Sequence, residues 1–285
     1  MSKIAIVTDS TAYLSQDTID KHRITVVPLS VIFGQEAYRE GEDIGYEEFY
    51  RKLKETDVLP TTSQPSVGDF VKAFENLSKE YDQAISIHLS SGISGTYQAA
   101  RQAADLVENF PVHLVDSEIS SAPQALMAQK AAQLAEAGKS AEEIVAFLEE
   151  LKQANRAYFV VDDLSHLHRG GRLNAAQLLI GSMLRIKPVL HFVDKKIVPF
   201  EKIRTKNKAK ARILELLAED AKNGQAFPVT VVHANAEQEA LDWMEEVQAQ
   251  FPHLPVQTAK MGPVLGTHVG EGTLGLTWNV HPSLD

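Results

Sequence analysis

Residues 84–108 read AISIHLSSGISGTYQAARQAADLVE, and this stretch decides the fold class. Its apolar start, Ala84–Leu89, predicts a buried strand, and Tyr97–Glu108 has the apolar spacing of an amphipathic helix. A polar turn punctuated by glycines joins the two. Because a strand that leads through a short turn into a helix is the repeating unit of α/β proteins, we predict an α/β fold.

The rest of the first half repeats this alternation. Apolar runs predict strands at Ile4–Thr8, Thr25–Ile32 and Val112–Val115, and helical spacing predicts helices at Gln16–His22, Glu47–Lys54, Gly68–Tyr81 and Gln124–Ala137. Capping boxes predict helix starts at Ser66, with Asp69, and at Ser140, with Glu143. Because the strands are apolar on both faces, we expect a parallel sheet covered by helices, in three layers.

The second half has a different pattern. Strands are predicted at Tyr158–Val161, Val189–Val193, Ile197–Pro199, Val229–His233, Val256–Ala259 and Leu274–Val280, and helices near Ala209–Lys222 and Glu237–Phe251. Asp194-Lys195-Lys196 joins two of the strands like a hairpin, which requires an antiparallel pair and therefore a mixed sheet. We predict an N-terminal domain at residues 1–155, a C-terminal mixed-sheet domain with helices at residues 156–285, and a ligand at their interface.

Composition excludes several classes of protein. The 285 residues carry a formal net charge of −10, which argues against a nucleic-acid partner, and there is no cysteine for disulfides or thiolate sites. No apolar run approaches the roughly 18 residues of a membrane span, and the N-terminus lacks a signal-peptide core. We therefore expect a soluble, cytoplasmic protein.

Three polar segments follow predicted strands or precede helices, where ligands bind in α/β sheets. The first, residues 60–66, is predicted to be a proline-bounded loop that ends in a helix cap. The second, residues 89–97, offers free N–H groups and hydroxyls to an anion, although a simple tight turn explains it equally well; it matches neither the P-loop nor the G-x-S-x-G nucleophile elbow. The third, residues 262–275, is predicted to be a flexible loop that presents His268, and its G-x-G-x-x-G lacks a following crossover unit.

Two other features have weaker signals. His166 and His168 have no carboxylate at a spacing that completes a metal site, so no metal is predicted. Six cations between Lys202 and Arg212 either form a solvated face or offer a landing surface for an acidic or phosphate-bearing partner.

Several segments in combination resemble the DegV family. They are IVTDST at 6–11, PTTSQPS at 60–66, LSSGISGTYQ at 89–98, GGRL at 170–173, EKIRTK at 201–206 and GPVLGTH at 262–268. The resemblance covers nearly the whole chain. It implies a two-domain carrier, with no cofactor and no chemistry of its own, that buries a long-chain fatty acid between its domains. It further implies that a separate fatty acid kinase phosphorylates the bound carboxylate for phospholipid synthesis, and it allows transient contact with a membrane.

The resemblance also implies roles for individual residues. Thr62 and Ser94 would bind the carboxylate, with Arg172 and His268 in the same polar network; Arg169, close to Arg172, leaves open which guanidinium faces the ligand. The full set expected at the ligand is Thr61, Thr62, Ser63, Ser91, Ser94, Gly95, Arg172 and His268. Lys202, Arg204 and Lys206 are expected to contact the kinase.

Two alternatives remain open at this point. A serine hydrolase would use Ser94 as nucleophile and His268 as base, and a nucleotide or sugar-phosphate binder would use the turn at residues 92–96. For entry of a fatty acid, we expect a helix between residues 120 and 150, or between 174 and 184, to open as a lid.

Overall fold

A computed structural model describes residues 2–56, 59–173 and 186–284. In the first half the elements are β1 (Ile4–Asp9), α1 (Gln16–His22), β2 (Thr25–Val27), β3 (Ser30–Phe33), β4 (Glu36–Arg39), α2 (Tyr46–Glu55), β5 (Thr61–Ser63), α3 (Val67–Leu77), β6 (Gln83–His88), α4 (Thr96–Ala104), β7 (Val112–Asp116), α5 (Ala122–Glu136) and α6 (Ala141–Ala154). In the second half they are β8 (Asn155–Val160), α7 (Leu164–Arg169), β9 (Val189–Val193), β10 (Lys196–Glu201), α8 (Lys206–Ala221), β11 (Val229–His233), α9 (Glu237–Gln250), β12 (Val256–Lys260), α10 (Pro263–Val269) and β13 (Leu274–Asn279).

The first sheet is parallel, with strand order β2-β1-β6-β7. Because side chains alternate across a strand, Ile6 joins a core with α5 and α6, whereas its neighbours Ala5 and Val7 join a core with α3 and α4. Both predicted capping boxes, at Ser66 and Ser140, are formed. The predicted three-layer arrangement is therefore confirmed.

The second sheet is mixed and has the order β10-β9-β8-β13-β11-β12. All its neighbouring pairs are antiparallel except β11 with β12. One face packs against α8 and α9, where Trp243 is completely buried. The opposite face, with Phe159, Leu190 and Val232, packs against residues of the first half. The mixed sheet is confirmed; the domain boundary at residues 155/156 stays a prediction.

A small third sheet, with order β4-β3-β5, was not predicted. The single strand predicted at Thr25–Ile32 divides into β2 and β3, with Pro28 between them. Proline has no N–H to donate to a ladder, so the chain leaves the parallel sheet there and pairs elsewhere. The prediction of a loop over residues 60–66 is likewise wrong for Thr61–Ser63, which pair with β3.

The segment that carries His268 is a helix and not a flexible loop. Residues 263–269 form α10, and all seven of these residues are buried. Pro263 occupies the first helical position, where its missing N–H costs nothing. The abundance of glycine in this segment led to the wrong prediction of a flexible loop. Gly262 and Gly266 are instead positions where other chain segments pack closely, since a Cβ on Gly266 would lie 2.5 Å from the Tyr50 hydroxyl oxygen.

Neither predicted lid is established. The segment 174–184 lies outside the described residues. In the alternative segment, 120–150, helix α5 buries Met127, Ala128 and Ala131 completely against the first sheet. Opening α5 would expose this core, so the packing does not favour it as a lid.

Candidate functional site

A cavity lies between the two halves of the chain. Most of its lining is apolar and comes from both halves. These side chains are Leu29, Leu89, Ile93, Ile119, Ala157, Phe159, Leu167, Phe192, Ile197, Val232, Met261, Val264, Leu265 and Val269.

The cavity runs along strand β8. Thr277 pairs with Ala157 in the ladder between β13 and β8, and two residues further along β8 Phe159 pairs with Gly275. Leu167 and Arg172, which also line the cavity, come after the C-terminal end of β8. The lining therefore combines residues of β8 with residues of the chain that follows it.

The lining also contains polar side chains, among them Ser120, Ser121 and Thr277. Four others, Thr62, Ser94, Arg172 and His268, come from separate parts of the sequence, and we refer to them together as the polar end of the cavity. The sequence-based prediction named all four. The fold brings them together, as the prediction requires, while their contacts with a ligand stay a prediction.

Thr62 reaches the cavity because β5 is a strand. Successive side chains of a strand point to opposite faces, so Thr62 turns inward whereas Thr61 and Ser63 are exposed. Its partner in the ladder is Val31, which is completely buried. The Oγ1 of Thr62 lies 2.8 Å from Nε2 of His268.

His268 is an uncharged imidazole at neutral pH. Burial, with a further contribution from the positive charge of Arg172, lowers its pKa to about 4. Its Nδ1 is buried without a hydrogen-bond partner among the described residues. In the tautomer with the proton on Nε2, His268 donates to Thr62, and the Thr62 hydroxyl then donates its own hydrogen into the cavity.

Ser94 lies in the turn between β6 and α4. Its Oγ is 2.9 Å from Oγ1 of Thr96 and accepts a hydrogen bond from the Thr96 N–H at 3.3 Å. The start of the turn is anchored by Asp9, whose carboxylate accepts from the Leu89 N–H at 3.0 Å. Ser94 therefore presents its hydroxyl from a fixed backbone.

The tip of the β9–β10 hairpin packs against the same turn. The Ser90 hydroxyl donates to the Lys195 carbonyl at 2.7 Å, and Lys195 Nζ lies 2.9 Å from the Asp116 carboxylate. A Cβ on Gly92 would lie only 2.2 Å from the Lys195 carbonyl oxygen. Glycine is needed at this position because the backbone of the hairpin occupies the space of a side chain.

Arg172, and not Arg169, lies at the cavity. The Arg172 guanidinium donates to the Ile93 carbonyl at 3.0 Å and to the Gly170 carbonyl at 2.6 Å. Burial lowers the pKa of Arg172, but an arginine keeps its charge, so the polar end of the cavity is cationic. Arg169 is exposed and donates to Ser165 on its own helix.

The other residues predicted at the ligand lie outside the cavity lining. Ser91 donates its hydroxyl to Asp116 at 2.5 Å. Burial would raise the pKa of Asp116, but hydrogen bonds from Ser91 and Lys195 outweigh it and lower that pKa. Gly95 packs against the Gln64 side chain, where a Cβ would clash at 2.0 Å. Ser91 and Gly95 therefore support the turn.

The residues predicted to contact the kinase differ in their exposure. Lys202 and Arg204 are exposed, and neither makes an ion pair within the described ranges. Lys206 is mostly buried: its Nζ bonds to the Gly272 carbonyl at 2.7 Å and to Glu239 at 2.8 Å. It also lies 3.7 Å from Asp162, two residues after the end of β8.

The arrangement of a serine hydrolase is absent from the described part of the chain. Ser94 bonds to Thr96 and His268 to Thr62, so the proposed nucleophile and base are not hydrogen-bonded to each other. Ser86, His88 and Asp9 do form a connected series, with distances of 2.7 and 3.0 Å, but all three are completely buried in the first sheet. A substrate cannot reach them there.

Metal-binding clusters and membrane-spanning helices are both absent from the described residues. Among residues 2–56, 59–173 and 186–284, no cluster of three or more histidine, aspartate or glutamate side chains could hold a metal ion. No helix in these ranges has the length and apolar character needed to cross a membrane.

Sequence reasoning missed Lys195 and Glu40, which support the site, and considered Asp116 only as a residue to orient the histidine of a hydrolase. Asp116 ends a parallel strand, the position that drew attention to the other segments, so the same rule indicates its supporting role. Lys195 and Glu40 gave no signal in the sequence, because Asp116 lies 79 residues from Lys195 and Val264 lies 224 residues from Glu40.

Comparisons with known proteins agree with this architecture. The family model described as "uncharacterised protein, DegV family" matches residues 3–280. Protein DegV of Bacillus subtilis is 51% identical over 276 residues, which are 96% of this chain and 98% of the relative.

Solved structures are similar over the whole chain. The crystal structure of DegV from Bacillus subtilis, described as a fatty acid binding protein, has a TM-score of 0.93 at 51% identity and covers 98% of this chain and 99% of its own. A stearic acid-binding protein from Eubacterium ventriosum has a TM-score of 0.88 at 29% identity and covers 98% of both chains. By fold, by sequence and by the match of its family model, the chain belongs to the DegV family.

Proposed function

We propose that this protein binds one long-chain fatty acid in the cavity, with the carboxylate at the end formed by Thr62, Ser94, Arg172 and His268. The observation that carries the proposal is the composition of the lining, which is mostly apolar and includes one cationic cluster of polar side chains. Fatty acid binding by the solved relatives supports it.

The tail and the carboxylate of the fatty acid contribute differently to the free energy of binding. The tail of a C16 acid has about 14 methylenes, and burial at about 0.8 kcal/mol each stabilises the complex by ~11 kcal/mol before ordering costs. A hydrogen bond to a carboxylate contributes only about 1.5–3 kcal/mol. The tail therefore supplies most of the affinity, and the polar end orients the acid.

Titration with saturated acids of increasing length tests this division. Until the cavity is full, each added methylene should strengthen binding by up to about fourfold, the equivalent of ~0.8 kcal/mol. An affinity that does not depend on chain length would contradict binding in the cavity.

We further propose that the bound carboxylate is presented to a separate fatty acid kinase, which docks on the basic segment at Lys202 and Arg204. The exposed side chains of Lys202 and Arg204, which make no ion pair within the described part of the chain, support this proposal. This chain itself would carry out no chemistry.

Ser94→Ala tests the orienting role. We expect the variant to bind fatty acid about 10- to 150-fold more weakly than the wild type, because only one hydrogen bond is lost and the tail still supplies most of the affinity, and to be phosphorylated much more slowly by the kinase. Ser91→Ala is the matched control, because its hydroxyl lies outside the cavity. Normal phosphorylation of the Ser94 variant would contradict the orienting role.

A further inference from the structure

A buried carboxylate lies at the opposite end of helix α10 from His268. Glu40 follows strand β4 and is only 5% exposed. Its Oε1 accepts from the Val264 N–H at 2.8 Å and from the Tyr13 hydroxyl at 3.1 Å, and its Oε2 accepts from the Ser10 hydroxyl at 2.5 Å. The carboxylate therefore joins two segments of the first half of the chain to the start of α10.

Tyr13 extends the same connection. Its hydroxyl oxygen accepts from the Leu265 N–H at 3.1 Å. The first N–H groups of a helix have no partner within the helix, and the residue before α10, Gly262, has no side chain to cap it. A Cβ on Gly262 would lie 2.4 Å from the Tyr13 ring, so the contact is tight. Glu40 and Tyr13 thus perform the capping from across the interface.

We propose that Glu40, together with Tyr13, is a positioning residue for His268: it fixes α10 against the first half so that the imidazole meets Thr62 at the polar end of the cavity. Because α10 has only seven residues, His268 follows any displacement of the first turn. The effect of Glu40 on ligand binding rests on the proposed function, whereas its role in positioning His268 does not.

Glu40 positions α10 by accepting hydrogen bonds, and not by its charge. The donors to Glu40 are one backbone N–H and two hydroxyls, and a glutamine keeps the Oε1 acceptor for both Val264 and Tyr13. Burial, opposed by these hydrogen bonds and reinforced by the nearby charge of Asp9, raises the pKa of Glu40 to about 7. Oε1 accepts in both protonation states.

The experiment compares Glu40→Leu with the conservative variant Glu40→Gln. In the ligand-free protein, NMR of the histidine side chains, with the His268 signals assigned from His268→Gln, reports whether the imidazole keeps its wild-type environment. In Glu40→Leu we expect these signals to shift and the pKa of His268 to rise toward its ordinary value; in Glu40→Gln we expect both to be retained.

Binding of a fatty acid and of the fatty alcohol of the same length then separates positioning from general damage. For Glu40→Leu we expect the preference for the acid over the alcohol to fall by about tenfold, with rescue in Glu40→Gln. An equal loss for both ligands, or unchanged His268 signals, would overturn the inference. If the wild type binds neither ligand, the proposed function fails, while the NMR comparison still decides the role of Glu40.

Discussion

Substitution of Gly92 tests whether the two halves of the chain are joined as the structure indicates. In Gly92→Ala the new Cβ would lie 2.2 Å from the carbonyl oxygen of Lys195 and 2.7 Å from its carbonyl carbon. Both are backbone atoms, so no side-chain rotation can relieve the clash. The hairpin between β9 and β10 must move away from the turn that holds Ser94.

Two contributions determine how much stability the substitution removes. Forcing one extra carbon into a packed site costs typically about 1–3 kcal/mol. Moving the hairpin also breaks the hydrogen bond from the Ser90 hydroxyl to the Lys195 carbonyl, which contributes about 1 kcal/mol. The ion pair of Lys195 with Asp116 is partly exposed and adds little. We therefore expect a free energy of unfolding about 2–4 kcal/mol below that of the wild type.

Urea denaturation of both proteins measures this difference. Gly68→Ala is the matched control, because its Cβ would only make an ordinary contact, 3.7 Å from the Ser66 hydroxyl oxygen, and alanine favours the helix. The control should equal the wild type or exceed its stability. If Gly92→Ala unfolds within about 0.5 kcal/mol of the wild type, the hairpin is not docked on the turn as described.

Four further predictions concern the polar end of the cavity, Glu40 and the basic segment. Arg172→Gln should lower the affinity for a fatty acid by about tenfold and leave that for the matching alcohol unchanged, because only the acid needs a cation; equal losses in a competition assay would contradict this. The pKa of His268 is lowered from 6.5 to about 4, so the unfolded chain takes up its proton first as pH falls, and the free energy of unfolding should decrease by roughly 3 kcal/mol between pH 6.5 and 4. The pKa of Glu40 is raised from 4.5 to about 7, so its effect on stability has the opposite sign, and the free energy of unfolding should decrease as pH rises through that range. In denaturation measurements across pH, His268→Gln should lack the first of these two dependences and Glu40→Gln the second. Arg204→Glu should reduce phosphorylation of the bound acid without weakening its binding. A loss of fatty acid binding would contradict the role of Arg204 in docking the kinase.

Much of the fold could be predicted because its signals are local. The apolar alternation that separates Ile6 from Ala5 and Val7 assigns both faces of the first sheet, and capping at Ser66 and Ser140 fixes two helix starts. The third sheet could not be predicted in the same way. Its strands are three or four residues long, and the pairing of Val31 with Thr62 depends on chain segments 31 residues apart.

The site was predicted in part for a related reason. Residue types and family resemblance identified Thr62 and His268, but the hydrogen bond between them joins positions 206 residues apart and depends on α10 being a helix. Ser91 was assigned to the ligand because it shares a motif with Ser94; only the position of Asp116 shows that its hydroxyl is already bonded. Spacing along the chain indicates which residues share a turn, but not which of them face the cavity.

Native mass spectrometry of the protein purified from bacterial cells, without added lipid, tests the central claim most directly. We expect a species heavier than the bare chain by a few hundred daltons, the mass of one long-chain fatty acid, which solvent extraction should release as a free acid. Substitution of the cavity-lining Val232 by Trp should remove this species from folded protein. A bare chain alone, or a bound molecule without a carboxylate and an alkyl tail, would contradict the account.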